Sequence, residues 1–204
     1  MNTLRVGHLP GIDPAQVRWQ VLPGLALPAG EQLLVPALTA AQLQQLCEDL
    51  RGPGRQGLRE LPVGEIVQAI DAAIHALLDP RGQAHQTLLH WLPQVTGFSV
   101  EMVRINLNAT LRTYRAPQLQ RFITEDLGGS ALLDGFAPRV TGGLCHAEGA
   151  ALLTHVWAGN VPGLPLWSLI SGLLVKAGNL GKVSAGEPVL ASVFASTLAS
   201  LSPV

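Results

Sequence analysis

The stretch His155-Val156-Trp157-Ala158-Gly159-Asn160-Val161-Pro162-Gly163, taken with Leu173-Leu174-Val175-Lys176-Ala177-Gly178 further along, decides the fold of this chain. An apolar strand runs into a small, sharply turning loop, a short helix follows, and a second apolar strand ends on a lysine. An open α/β sheet presents backbone amides, a carboxamide and a cation to a ligand in this way, at the carboxyl ends of parallel strands joined by a helical crossover. The first strand is read over Ala150 to Trp157, the helix over Leu164 to Ser171 with Gly172 as its breaker, and the second strand over Leu173 to Lys176. After Glu187-Pro188, the positions Leu190, Val193, Phe194, Thr197, Leu198 and Leu201 give a last helix its inward face. The pattern is βαβα, the beginning of a doubly wound parallel sheet, which needs further strands to cover its helices.

Working outward, residues 149 to 175 carry no Lys, Arg, Asp or Glu, so a membrane span has to be weighed. Gly159-Asn160-Val161-Pro162-Gly163-Leu164-Pro165 in the middle of that run would leave backbone groups unpaired in lipid. Buried parallel strands read as continuous apolar runs too, and they explain the segment without a membrane. Met1 to Gly11 holds one arginine and no long apolar core, so no signal peptide is visible.

Upstream the chain changes character. Residues 1–38 are rich in proline and glycine and read as extended segments and turns. Thr39-Ala40-Ala41-Gln42 has the form of a capping box, after which Leu43, Leu46, Cys47 and Leu50 share a helical face until Gly52-Pro53-Gly54 ends it. Pro62 opens the strongest helix, with Val63, Ile66, Val67, Ile70, Ile74, Leu77 and Leu78 as its apolar stripe and Asp79-Pro80 as its stop. Helices are further expected over Ala84 to Leu92, after the cap Ser99, and from Pro117 to Gly128-Gly129. The expected organisation is an extended segment over 1–38, a mainly helical region over 39–148 and the first part of an α/β domain over 149–204.

A chain of 204 residues with 48% hydrophobic and 13% charged residues suits one sizeable core, or one domain with part of another. A net charge of -1 with no basic stripe excludes a nucleic-acid footprint. The two cysteines, Cys47 and Cys145, form no metal or disulfide pattern, so a reducing cytoplasm is expected.

Several strings of letters are set aside on context. Gly52-Pro53-Gly54-Arg55-Gln56-Gly57 spells a dinucleotide fingerprint but follows a helix instead of a strand, so it reads as a loop. His75, His85 and His90 do not converge with a carboxylate. His155, beside the loop, is more commonly a half-buried histidine than a catalytic one. Ser168 and Ser171 lack the flanking glycines of a nucleophile elbow. Lys176 and Lys182 are the only lysines among many arginines, which suggests that ammonium geometry matters there, and a lysine at a strand end can reach a cofactor ribose or phosphate. Asn160 carries two amide donors at a strand end, where an oxyanion or cofactor fits; bonding its own backbone in a turn is the other role open to it.

The segment His155 to Lys176, with its Ala-Gly-Asn-Val-Pro-Gly and Leu-Leu-Val-Lys blocks, resembles the LuxC-type acyl-CoA reductases, the fatty acid reductase component of bacterial bioluminescence and its non-luminous relatives. Leu61 to Val67, Thr96 to Arg104 and Leu132 to Phe136 look like the same family's amino-terminal part. That family is similar in turn to the aldehyde dehydrogenase superfamily. The resemblance implies an oxyanion-hole role for Asn160 and a ribose or 2′-phosphate contact for Lys176. Gly159, Ala177, Gly178 and Asn179 join Lys176 as the expected cofactor-binding set. It implies NADPH-dependent reduction of a fatty acyl thioester, such as acyl-CoA, to an aldehyde through a cysteine acyl-enzyme. The family's nucleophilic cysteine follows the cofactor domain, and neither Cys47 nor Cys145 matches it. The chain is therefore expected to be the amino-terminal part of such an enzyme, from a truncated or split gene. A complementing catalytic half or an acyl-transfer protein would be its partner, joined at the unpaired sheet edge beyond the second strand. The other expectation is a non-catalytic interaction module derived from the fold.

Overall fold

The computed structural model describes residues 2–159 and 162–202. Three short strands form the amino-terminal sheet: β1 (Asn2–Arg5), β2 (Arg18–Val21) and β3 (Glu31–Ala37), in the order β1-β3-β2. β1 runs parallel to β3, with Leu4 opposite Leu33, and β2 runs antiparallel to it. Val6, Leu22 and Leu33 from this layer join the main core.

The helices follow. α1 (Ala40–Asp49) opens on the complete capping box, Thr39 accepting from the Gln42 N–H and Gln42 from the Thr39 N–H. Gly52-Pro53-Gly54 does not end the helix or form a loop, which corrects the sequence expectation. A widened π turn over Leu50–Gly54 carries the chain into α2 (Arg55–Glu60). The wider turn explains how proline is tolerated there: it absorbs a ring that clashes in an ordinary α turn. α3 (Val63–Leu78) forms the centre of the core, with Ile70, Ala73, Ile74 and Leu77 fully buried. α4 (Gln83–Thr96) is longer than its periodicity suggests and runs through Pro93 to a left-handed cap at Gly97. α5 (Val100–Arg112) starts on the Ser99 cap, which accepts from the Met102 N–H. α6 (Ala116–Glu125) has its proline in the first turn, and α7 (Ser130–Asp134) follows. β4 (Ala137–Pro138) and β5 (Leu144–Cys145) make a small antiparallel hairpin that leaves Phe136, Val140 and Leu144 exposed.

The last part holds the parallel pair, β6 (Leu152–Val156) and β7 (Gly178–Lys182), with α8 (Leu164–Leu174) as the crossover and α9 (Val189–Leu201) after it. Here the expectation of a strand over Leu173–Lys176 is overturned. The helix continues through Gly172 to Leu174, and the strand begins only at Gly178. Leu173-Leu174-Val175 is an apolar run too short for periodicity to separate helix end from strand, and the buried helix won. Gly172 is no breaker. A Cβ there would run into the Asn179 carboxamide, so glycine lets α8 lie close on β7. β7 is itself glycine-rich for the same reason: at Gly178 a Cβ would meet the Leu50 and Ala151 carbonyls, and at Gly181 the Trp157 ring. Among the described residues, no single helix is long and apolar enough to cross a membrane.

Candidate functional site

The parallel register sets the two ends of the sheet. Leu152 pairs with Gly178 at the amino end and Val156 with Lys182 at the carboxyl end, and the Trp157 N–H extends the ladder to the Lys182 carbonyl at 3.1 Å. Ligands of open α/β sheets bind outside the carboxyl ends. Three features gather there: the loop leaving β6, the lysine closing β7, and the turn that leads into α9.

The loop is gripped at both of its described ends by glycines. At Gly159 a Cβ would run into Ser184 Oγ and stand 3.1 Å from the Glu187 nitrogen, so the chain leaving β6 rests directly on the turn leaving β7. At Gly163 (φ 94°) a Cβ would run into the Thr110 methyl, and the Tyr114 hydroxyl donates to the Gly163 carbonyl at 3.3 Å. Tyr114 is 5% exposed, and burial pushes its phenol up from the usual value, so the hydroxyl stays a donor. The backbone is thus held closely at Gly159 and at Gly163, and fixed anchor points of this kind are what an electrostatic binding site requires. Asn160 and Val161, between the two glycines, lie outside the described residues.

Lys182 is exposed at the carboxyl end of β7 and makes no ion pair with any described residue. Sequence reasoning paired it with Lys176 and favoured the latter; the structure separates them. Lys176 precedes β7, in a left-handed backbone conformation (φ 57°), and its ammonium is 2.7 Å from Asp134 Oδ1. Its neighbours in the expected cofactor set stand at the same amino end. Ala177 is fully buried and Gly178 is wedged against backbone carbonyls. Asn179 donates to the Ala177 carbonyl at 2.8 Å and accepts from His155 at 3.0 Å. Gly159 alone of the described members of that set reaches the carboxyl ends. The signal for Lys182 was in the sequence: it ends the glycine-spaced segment that the fold uses as its strand.

His155 is likewise committed to structure. Besides Asn179 it stacks on Trp157, ring centroids 5.4 Å apart, and the Trp157 indole N–H donates to Ser168 Oγ at 2.8 Å. This layer fastens α8 to the sheet. Cys145 lies on the β5 hairpin, 3.7 Å from the Ala137 carbonyl, and Cys47 is half-buried on α1; neither stands at the carboxyl ends. No cluster of three or more metal-binding side chains exists among the described residues.

With the crossover and its strand-end loop in place, the comparison with known families is direct. Residues 58–204 match the family model of the acyl-CoA reductases named LuxC. The chain belongs to the LuxC family. Its fold is that of an aldehyde dehydrogenase. Aldehyde dehydrogenase 21 from Physcomitrella patens, solved with the reaction product succinate, superimposes with a TM-score of 0.68 at 12% identity. The match covers 98% of this chain and 40% of that one, so the chain spans about two fifths of the length of the dehydrogenase. No curated protein matches it in sequence. The α/β class with a helical amino-terminal region is as the sequence led one to expect.

Proposed function

We propose that this LuxC-family chain forms the cofactor-side part of a reductase that converts a fatty acyl thioester, acyl-CoA, to the aldehyde with NADPH. The observation that carries the reading is Gly159, at the exit of β6, resting on the turn after β7, and Gly163 held against Thr110 and Tyr114, with Lys182, which has no ion-pair partner among the described residues, at the carboxyl end of β7. An anionic dinucleotide fits this donor set. Lys182 is the cation for the ribose or its 2′-phosphate, in place of Lys176, whose charge is already taken by Asp134. NADPH, when bound, supplies the hydride that reduces the acyl group. The loop 159–163 serves the carbonyl oxygen, and Asn160 is its side-chain donor; losing one such donor typically costs about 3 kcal/mol in barrier.

Neither cysteine of the chain is assigned as the nucleophile. The acyl-enzyme belongs to a further part of the fold, on the same or a second polypeptide. The face of the parallel pair turned away from α8, where Thr154, Val156, Leu180 and Lys182 alternate, is the surface for it; Val156 there is 78% exposed.

The test is cofactor binding by calorimetry, with NADPH and NADH, on the chain and on Lys182→Ala and Lys176→Ala. Saturable NADPH binding that Lys182→Ala weakens supports the reading. Binding that survives Lys182→Ala and is lost in a stably folded Lys176→Ala overturns the assignment.

A further inference from the structure

The turn between β7 and α9 holds a group that the proposed chemistry does not use. Glu187 is only 3% exposed. Its Oε1 accepts the backbone N–H groups of Val189 and Leu190, each at 2.8 Å, and its Oε2 is buried with no hydrogen-bond partner among the described residues. A helix cap needs only a short side chain at the water-exposed rim. A longer one, sunk with an oxygen unsatisfied, costs more than the cap returns and needs a further reason.

Its surroundings supply one. Ser184 and Glu187 form an isolated antiparallel bridge, and Ser184 Oγ accepts the Gly186 N–H at 3.1 Å, which closes the turn 184–187 on itself. Gly159 lies on that turn, against Ser184 Oγ and the Glu187 nitrogen, and a Cβ at Gly186 would stand 3.5 Å from the Gly159 carbonyl. Pro188 carries no N–H, so the first donors of α9 are those of Val189 and Leu190, and Glu187 takes both. Two of the free N–H groups at this helix end are thus already taken, which weakens it as a site for an anion.

We infer that Glu187 is the positioning residue of the strand-end loop: by tying turn 184–187 to the first turn of α9, it fixes the floor on which Gly159 rests and so the point at which the chain leaves β6 for that loop. This rests on the reading of that loop as the ligand-facing element. Burial pushes the Glu187 carboxyl up from its ordinary value, and glutamine is the substitution that keeps an acceptor for Val189 and Leu190 at nearly the same volume.

Hydrogen exchange by mass spectrometry on the full chain tests it, comparing wild type, Glu187→Ala and Glu187→Gln. Amides of 157–159 are expected to exchange about tenfold faster in E187A and at the wild-type rate in E187Q, with α3 unchanged in both. Glu187→Met, which keeps the volume and removes both oxygens, replaces the alanine variant should that one fail to fold. Acceleration confined to 184–192, acceleration spread evenly over the chain, or a loop already unprotected in the wild type each overturns the proposal. NADPH affinity measured on the same samples separates the two ideas. A wild-type chain that binds no NADPH counts against the cofactor reading, while the exchange pattern still decides the role of Glu187.

Discussion

Lys176 and Asp134, far apart in sequence, meet at 2.7 Å, and the same Asp134 oxygen accepts the Val63 N–H at 2.8 Å. One carboxylate oxygen thereby joins the turn before β7, the end of α7 and the first turn of α3. Val63 lacks a side-chain cap, so Asp134 satisfies one of the helix's free N–H groups from a distance in sequence. Lys176 holds this geometry in a left-handed backbone conformation that costs a β-carbon-bearing residue about 1 kcal/mol. The lysine side chain is 9% exposed and Asp134 35%, so the pair is screened on one side only.

Lys176→Ala is therefore expected to lower stability by about 1–3 kcal/mol, below the range of a fully buried pair because Asp134 keeps some water. Urea unfolding measures the loss. NADPH affinity of the folded variant should stay at the wild-type value. Asp134→Asn, which keeps an acceptor for Val63, should lose less than Asp134→Ala.

Lys182→Ala is expected to do the reverse. The side chain is exposed and unpaired among the described residues, so stability should change by no more than about 0.5 kcal/mol. NADPH binding should weaken about tenfold, as the loss of one charge-assisted contact predicts, and the difference should shrink at high salt. Titration calorimetry at two ionic strengths reads both effects.

The opposite fates of the two lysines show how much of this fold was legible. The βαβα pattern, the capping box at Thr39, the Ser99 cap and the stripe of α3 follow from local periodicity and chemistry, and local rules decide them. The position of the second strand was not local. Leu173-Leu174-Val175 has higher strand propensity than Gly178-Asn179-Leu180-Gly181-Lys182, yet the glycine-rich segment pairs with β6. Leu50, Ala151, Trp157 and α8 crowd it so closely that only glycine fits at Gly178 and Gly181, and those contacts come from other parts of the chain. The π turn at Pro53 is not legible locally, because Gly-Pro-Gly reads as a break unless a helix continues beyond it. Of the candidate site, the loop was legible from its letters, whereas Glu187 and Tyr114 became visible only once the strand ends were brought together.

Gly159→Ala should cost about 1–3 kcal/mol, the usual range for forcing extra volume into a packed contact, because the new methyl runs into Ser184 Oγ. Ser184→Gly removes that atom. In the double variant the two changes should couple, recovering about 1 kcal/mol relative to the sum of the single losses. A double-mutant cycle on thermal unfolding checks this; strict additivity would mean that the two residues do not touch in solution.

Two carboxyl groups are expected to give opposite pH signatures. Arg115 bonds Asp71 through Nε at 2.5 Å and Nη2 at 3.1 Å and, with the Ala116 N–H, holds its carboxyl below the usual range. The unfolded chain then binds more protons than the folded one as pH falls through the carboxylate range, so Asp71 stabilises above its unfolded pKa and that stability is lost toward acid. Glu187 is raised instead, by burial, so the folded chain keeps a proton that the unfolded chain releases. Its contribution is fully present below the ordinary glutamate value and declines as pH rises from there toward its folded pKa. Denaturant unfolding across pH should show the second slope flattened in Glu187→Gln and untouched in Asp71→Asn. If Glu187→Gln leaves the slope above the ordinary glutamate value unchanged, the proton is not held on Glu187, and the unpartnered oxygen is carried as a buried charge.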